Sequence, residues 1–336
     1  MDDAHDLPLI GLTPGDPSGI GPEVCARVLA AGEWREHVRL RLIGDRRVLD
    51  LGLRDAGVTL PADVPVLDLA NAVPATFARG EASAAAGRAA GETLHRAVRL
   101  ALEGEIEGLC YAPLNKGALN LGGWHFPDDL HLFAHLTGYS GPPGETGELN
   151  VQPGVPSGGP AGELWTSRAT SHIPLKDVAA HLSRETVLAA IDLVHRTLRR
   201  SGLERPRIAV AALNPHAGDG GLCGDEERTV IAPAIARAVA QGVACDGPFA
   251  ADTIFLRARS GAYDAVVSMY HDQGQIATKL LGFSRGVTVL AGLPVVLTTP
   301  AHGTAHDITG RGVADGGALE QALRFAGRLA RRRGLP

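Results

Sequence analysis

The stretch RIAVAALNPHAG, residues 207–218, decides the fold class. It opens on a short apolar run and stops abruptly at Asn214-Pro215, the pattern of a strand buried on both faces and closed by a turn. The pattern returns in AVVSMYHDQG, residues 265–274, and in strand candidates at 7–12, 39–43, 108–111 and 294–299. Amphipathic stretches lie between them. One begins at Ser183 as N-cap, carries Val187, Ile191, Val194 and Leu198 on one face and stops at Gly202. A second is expected after Asp225 and through Ala240, kinked or shortened at Pro233. Strands alternating with helices predict an α/β fold with a mainly parallel sheet. The segment 141–162, rich in Gly and Pro, reads as a surface loop or hairpin with a partner subunit within its reach.

A chain of 336 residues is long enough for two such α/β domains, and its 45% apolar content can fill their cores. The formal charge of −5 offers no basic surface for nucleic acid or anionic lipid. No run of apolar residues is long enough to span a bilayer, and the acidic start lacks the basic region of a signal peptide, so a cytoplasmic protein acting on a small molecule is expected. Cys25, Cys110, Cys223 and Cys245 are widely spaced and read as reduced thiols.

Three histidines share one setting. His216 and His271 follow the two runs quoted above, and His172 ends the strand-like run 164–171. In open α/β sheets the carboxyl ends of strands line the ligand crevice, so three imidazoles placed there can converge on one metal and leave a coordination position open. For any one histidine taken alone a turn cap or an ordinary hydrogen bond is the commoner role, and the separations of 44 and 55 residues match no compact metal motif. Two glycine-rich turns, 13–23 and 218–221, can present backbone N–H groups to a phosphate or serve simply as tight connections. Neither is a G-x-G-x-x-G fingerprint, so no conventional Rossmann site is expected. In the loop 302–312, His302-Gly303-Thr304-Ala305 permits close backbone approach, while Asp307 can accept hydrogen bonds from a ribose or adenine.

Together the segments 15–23, Asn115-Lys116, 171–175, 214–218, 251–253, 270–274 and 302–312 resemble the 4-hydroxythreonine-4-phosphate dehydrogenase family of pyridoxal phosphate biosynthesis. The resemblance implies an isocitrate/isopropylmalate-dehydrogenase-like α/β fold, two domains with a central cleft, and a homodimer whose copies share active sites. It places the cofactor loop in a domain of residues 1–125 plus 294–336, and the metal site and dimer interface in 126–293. It implies NAD or NADP held by His302, Gly303, Thr304, Ala305 and Asp307. It also implies one divalent metal held by His172, His216 and His271, zinc first, with manganese, magnesium or cobalt as alternatives. The implied reaction oxidises a hydroxyl β to a carboxylate, after which the β-keto acid loses carbon dioxide. Lys279, Asp252 and Asp272 are candidates for proton transfer or substrate orientation, the two aspartates equally for holding a histidine tautomer.

The departures concern substrate. Where the family has a His-Thr pair this chain has Asp129-Leu130, and Thr288 and Leu297 replace a substrate Asn and Arg, while Lys279 is kept. Loss of the Arg removes a bidentate phosphate clamp. This pattern is similar to the terephthalate dihydrodiol dehydrogenase branch, whose substrate carries no phosphate. Two rival readings are a cofactor-free metal hydrolase or aldolase, and a noncatalytic metabolite-binding protein that kept the fold.

Overall fold

The computed structural model describes residues 7–142, 144–155, 162–282 and 284–332, and places eleven strands among them. In chain order these are β1 Leu9–Thr13, β2 Arg39–Gly44, β3 Val66–Asp68, β4 Gly108–Tyr111, β5 Gly147–Pro153, β6 Glu163–Arg168, β7 Ile208–Ala211, β8 Cys245–Phe249, β9 Ala265–Ser268, β10 Val287–Ala291 and β11 Leu297–Pro300. Among the described residues the chain divides into two units, 7–140 with 287–332, and 141–286.

In the first unit the strand order is β3-β2-β1-β4-β11-β10. All neighbours run parallel except β10 against β11, which pair antiparallel with Thr288 opposite Thr299. Every residue of β4 and β11 is buried, as expected for parallel strands covered on both faces. Helix Ala84–Leu102 is started by Ser83, whose hydroxyl accepts from the Ala86 N–H at 3.2 Å. It sends Leu94 and Val98 into a core with Leu109, Tyr111, Phe133, Leu290 and Leu297.

In the second unit the order is β5-β6-β9-β7-β8. β6, β9, β7 and β8 run parallel, and β5 forms an antiparallel hairpin with β6. The glycine- and proline-rich stretch therefore contains a hairpin arm, although residue 143 and residues 156–161 of it lie outside the described residues. Val155, Leu164, Ala209, Ile254, Phe255 and Val266 make this unit's core. Helix Arg184–Arg200 runs as its sequence predicts, with Ser183 and Thr186 exchanging the two bonds of a capping box.

The helix expected after Asp225 differs in its first turns. Residues Glu227–Ile231 form a π-helical turn, and an α-helix follows over Ala232–Ala240. Pro233 has no N–H with which to reach the Thr229 carbonyl four residues back, and the side chain of Arg184 donates its Nε–H to that oxygen at 3.0 Å. Asp225 contributes its backbone carbonyl, which accepts from Arg228 and Thr229, in place of the expected cap.

Candidate active site

β6, β9 and β7 are adjacent and parallel, so the segments leaving their carboxyl ends emerge along one edge of the second unit. His172 follows β6, His271 follows β9 as the first residue of helix His271–Leu281, and His216 follows β7. Strand β6 stops at Arg168 rather than reaching Ser171. The Ala169 and Thr170 N–H groups still bond to the Ser268 and Met269 carbonyls, which carries the segment alongside β9 before it turns out at His172.

The imidazoles of His172 and His271 lie with ring centroids 5.5 Å apart. Two imidazoles on one zinc, each nitrogen about 2.0–2.1 Å from the metal, would have ring centres roughly 5 Å apart at a tetrahedral angle. The pair therefore fits two ligands of a common ion. Asp272 Oδ1 lies 2.7 Å from His271 Nδ1. A carboxylate there keeps the proton on Nδ1 and presents Nε2 as the free lone pair, the arrangement that orients metal-binding histidines.

The third expected ligand stands apart. Among the described residues no group of three or more His, Cys, Asp or Glu side chains is disposed to hold a metal within one chain. His216 begins five successive residues in the left-handed region, with φ of 53° at His216, 55° at Ala217, 79° at Gly218, 43° at Asp219 and 67° at Gly220. Left-handed backbone costs roughly 1–2 kcal/mol at each residue bearing a Cβ. Strain of this kind gathers at functional sites. Of the six non-glycine residues with positive φ among those described, five fall in the segments chosen from sequence: His172, His216, Ala217, Asp219 and Ala305.

Gln273 is a residue the sequence reading passed over. Its Oε1 accepts the Met269 N–H at 2.7 Å, and its Nε2 donates to the Ala212 carbonyl at 2.8 Å. It thereby ties the start of the His271 helix to the end of β7. Its position inside the quoted HDQG segment was the available signal. Lys279 is exposed in the last turn of the same helix, eight residues beyond His271 or about 12 Å along the axis. Asp252 is exposed in the first turn of helix Ala251–Arg259.

In the first unit the glycine-rich turn 13–23 serves as a seat for the loop 302–312. The Ile20 N–H donates to the Thr304 carbonyl at 3.0 Å, and the Gly80 N–H to the Ser18 carbonyl at 2.7 Å. A Cβ on Gly19 would lie 2.8 Å from the Thr304 Cβ, so only glycine lets the two backbones meet. Fully buried Glu23 accepts from Arg27 at 3.0 Å and from the Ala314 N–H at 3.0 Å, while Arg27 also donates to the Gly312 carbonyl. The N–H of Ile20 is thus spent on protein. Burial pushes the Asp16 carboxyl up, against two hydrogen bonds from Ser18 and the nearby His306. The seated loop holds Ala305 at φ 42° and leaves Asp307 exposed in a short 3-10 turn, His306–Ile308. Gly303 is exposed, Thr304 is buried, and the His302 Nδ1 lies 3.0 Å from the Gly303 carbonyl oxygen.

Of the residues expected at the substrate, Lys279 lies in the second unit, and the other four lie in the first, in different environments. Asp129 opens helix Asp129–Thr137 and is gripped by Lys116, whose Nζ lies 2.8 Å from Oδ1 and 2.9 Å from Oδ2, with the Tyr111 hydroxyl 3.3 Å away. Leu130 is partly buried against the core, and Thr288 is half-buried on β10. Leu297 is fully buried within the core on β11, paired in register with Leu109, and has no surface with which to touch a ligand.

The family model described as pyridoxal phosphate biosynthetic protein PdxA matches residues 32–326. A Pseudomonas aeruginosa relative with the provisional name 4-hydroxythreonine-4-phosphate dehydrogenase 2 is 47% identical, over 98% of this chain and 98% of its own length. D-threonate 4-phosphate dehydrogenase of Cupriavidus necator is 40% identical over 97% of this chain and 98% of its own. Among solved structures, 4-hydroxythreonine-4-phosphate dehydrogenase of Klebsiella pneumoniae is similar with a TM-score of 0.81 at 37% identity, covering 97% of this chain and 98% of that one. Terephthalate 1,2-cis-dihydrodiol dehydrogenase of Burkholderia xenovorans is similar with a TM-score of 0.65 at 27% identity, covering 96% and 98%.

Proposed function

This chain belongs to the PdxA family of pyridoxal phosphate biosynthetic proteins, a family of dehydrogenases with an isocitrate-dehydrogenase-like α/β fold, and on that premise we propose that it oxidises a hydroxyl β to a carboxylate with NAD or NADP, with loss of carbon dioxide. The observation that carries the reading is the His172–His271 pair at the carboxyl ends of adjacent parallel strands, backed by Asp272. In this reading His172 and His271 bind the divalent metal, zinc being the first choice for three imidazoles, and His216 comes from a second copy of the chain. When bound, such an ion would supply Lewis acidity toward a substrate hydroxyl, and the dinucleotide would supply the hydride acceptor.

The chain's own groups do the rest. Asp272 keeps His271 in the tautomer that leaves Nε2 free, and Lys279 offers a cation to a substrate carboxylate. Asp252 is the remaining candidate for moving a proton. Asp307 accepts from a ribose hydroxyl at the cofactor loop. Supporting a dimer, Leu222, Leu256, Ile276 and Leu280 are exposed large apolar side chains in the unit that carries the histidines, the last two one turn apart on the His271 helix. No helix among the described residues is long and apolar enough to cross a membrane, and a cytoplasmic setting suits a dinucleotide enzyme.

For substrate we propose a hydroxy acid without phosphate. Lys116 is already engaged by both oxygens of Asp129, and a carboxylate at that position repels a phosphate dianion. The test is a steady-state comparison of 4-hydroxythreonine 4-phosphate, D-threonate 4-phosphate and a carboxylated cyclohexadiene cis-diol, with zinc, manganese, magnesium or cobalt added, following reduced nicotinamide. A higher kcat/KM on either phosphorylated acid overturns the substrate reading. Reduction of no dinucleotide with any of them overturns the dehydrogenase reading.

A further inference from the structure

The loop bearing His216 needs something to hold it, because three of its five left-handed residues carry a Cβ. The holder comes from the π-helical turn Glu227–Ile231. Glu227 is buried, and its Oε1 accepts the Leu213 N–H at 2.9 Å and the Asn214 N–H at 2.7 Å. Its Oε2 accepts from Asn214 Nδ2 at 3.0 Å, and the same amide donates to Glu226 Oε2 at 2.6 Å. The loop also lies directly over the carboxylate, since a Cβ on Gly218 would stand 2.7 Å from Glu227 Oε2. One carboxylate therefore receives both main-chain donors and the side-chain amide of the residues that lead into His216.

We infer that Glu227 is a positioning residue for the metal, fixing the His216 imidazole through the Leu213–Asn214 backbone without touching the ion. The inference rests on the reading of His216 as a ligand. Three charge-assisted bonds to one segment offset the cost of left-handed backbone there, and each is stronger than a neutral bond. The buried carboxylate is carried by the first residue of a π turn, a device often found at functional sites. Neither oxygen can be replaced by an amide nitrogen without setting a donor against a donor.

The experiment is a double-mutant cycle on zinc affinity, measured by competition with a chromophoric chelator on the full-length protein, with thermal melts in chelator as the control for folding. Glu227→Gln is expected to weaken zinc binding ten-fold or more in the otherwise native chain and to have no further effect in a His216→Ala background. Asn214→Ser, which removes the amide contacts and leaves Glu227 in place, is expected to weaken zinc in the same direction and provides the measurement if Glu227→Gln melts early. Unchanged zinc affinity in both variants, or equal losses with and without His216, overturns the role of Glu227 while leaving His216 a ligand. Unchanged affinity in His216→Ala alone, or no zinc bound by the native chain, overturns the ligand reading itself and the inference with it.

Discussion

Asp272 shows how little of a side chain's role resides in its own exposure. It is largely in solvent, yet its carboxylate stands 2.7 Å from His271 Nδ1. Asp272→Asn is expected to weaken zinc binding ten- to a hundred-fold, while the melting temperature in chelator stays within a degree of the native value. Titration calorimetry on the apo protein decides it, and native affinity in the variant would return Asp272 to an ordinary surface group. At this scale the sequence marked the segments that leave the strands and concealed how their residues are held. Residue type placed His172, His216 and His271 after strands. Nothing in periodicity announces a φ of 53° at two of them, because left-handed backbone at a residue with a Cβ is imposed by surrounding hydrogen bonds. Glu227 was equally hidden, one acid among Asp225, Glu226 and Glu227, with only the fold to say which one turns inward. Leu297 misled in the opposite sense, since an aligned position looks like a contact until its burial on β11 is seen.

Elements were legible where composition is one-sided. β4 was read to the residue because four apolar or small residues are followed at once by Ala112-Pro113, and helix Arg184–Arg200 because its cap and its apolar face agree. β8 escaped, since Cys-Asp-Gly-Pro-Phe carries both turn residues inside a strand. β3 escaped because it is only three residues long. Helix Gly317–Ala330 supports a pH prediction. In its first turn burial, and secondarily Glu33, pushes the Glu320 carboxyl up to about 7. A carboxyl whose folded value is raised from 4.5 binds its proton more tightly when folded, so the stability this proton contributes is complete below about 4.5 and is lost as pH climbs through 7. Glu320→Gln, neutral throughout, is therefore expected to melt at the native temperature near pH 4.5 and above it at pH 8. Melts at the two pH values test this, and a variant less stable at pH 8 than the native chain refutes it.

For the molecule as a whole, the exposed apolar side chains of the second unit make association the central expectation. Ile276 and Leu280 are 62% and 84% exposed on the helix that begins with His271. Replacing both with Lys is expected to convert a dimer to a monomer in sedimentation, to leave the far-ultraviolet spectrum intact and to remove more than nine-tenths of the activity. A native chain that sediments as a monomer, or a fully active double variant, contradicts shared sites. The four thiols divide sharply across the same molecule. Burial pushes Cys110 up to about 12, Cys245 up to about 11 and Cys25 well above the usual range, whereas Cys223 alone is exposed. Its N–H bonds to the Gly218 carbonyl, within the very loop that leaves His216. The native chain thus carries a single addressable handle, already set where a fluorophore or spin label would report on that loop, without a cysteine being removed or introduced elsewhere.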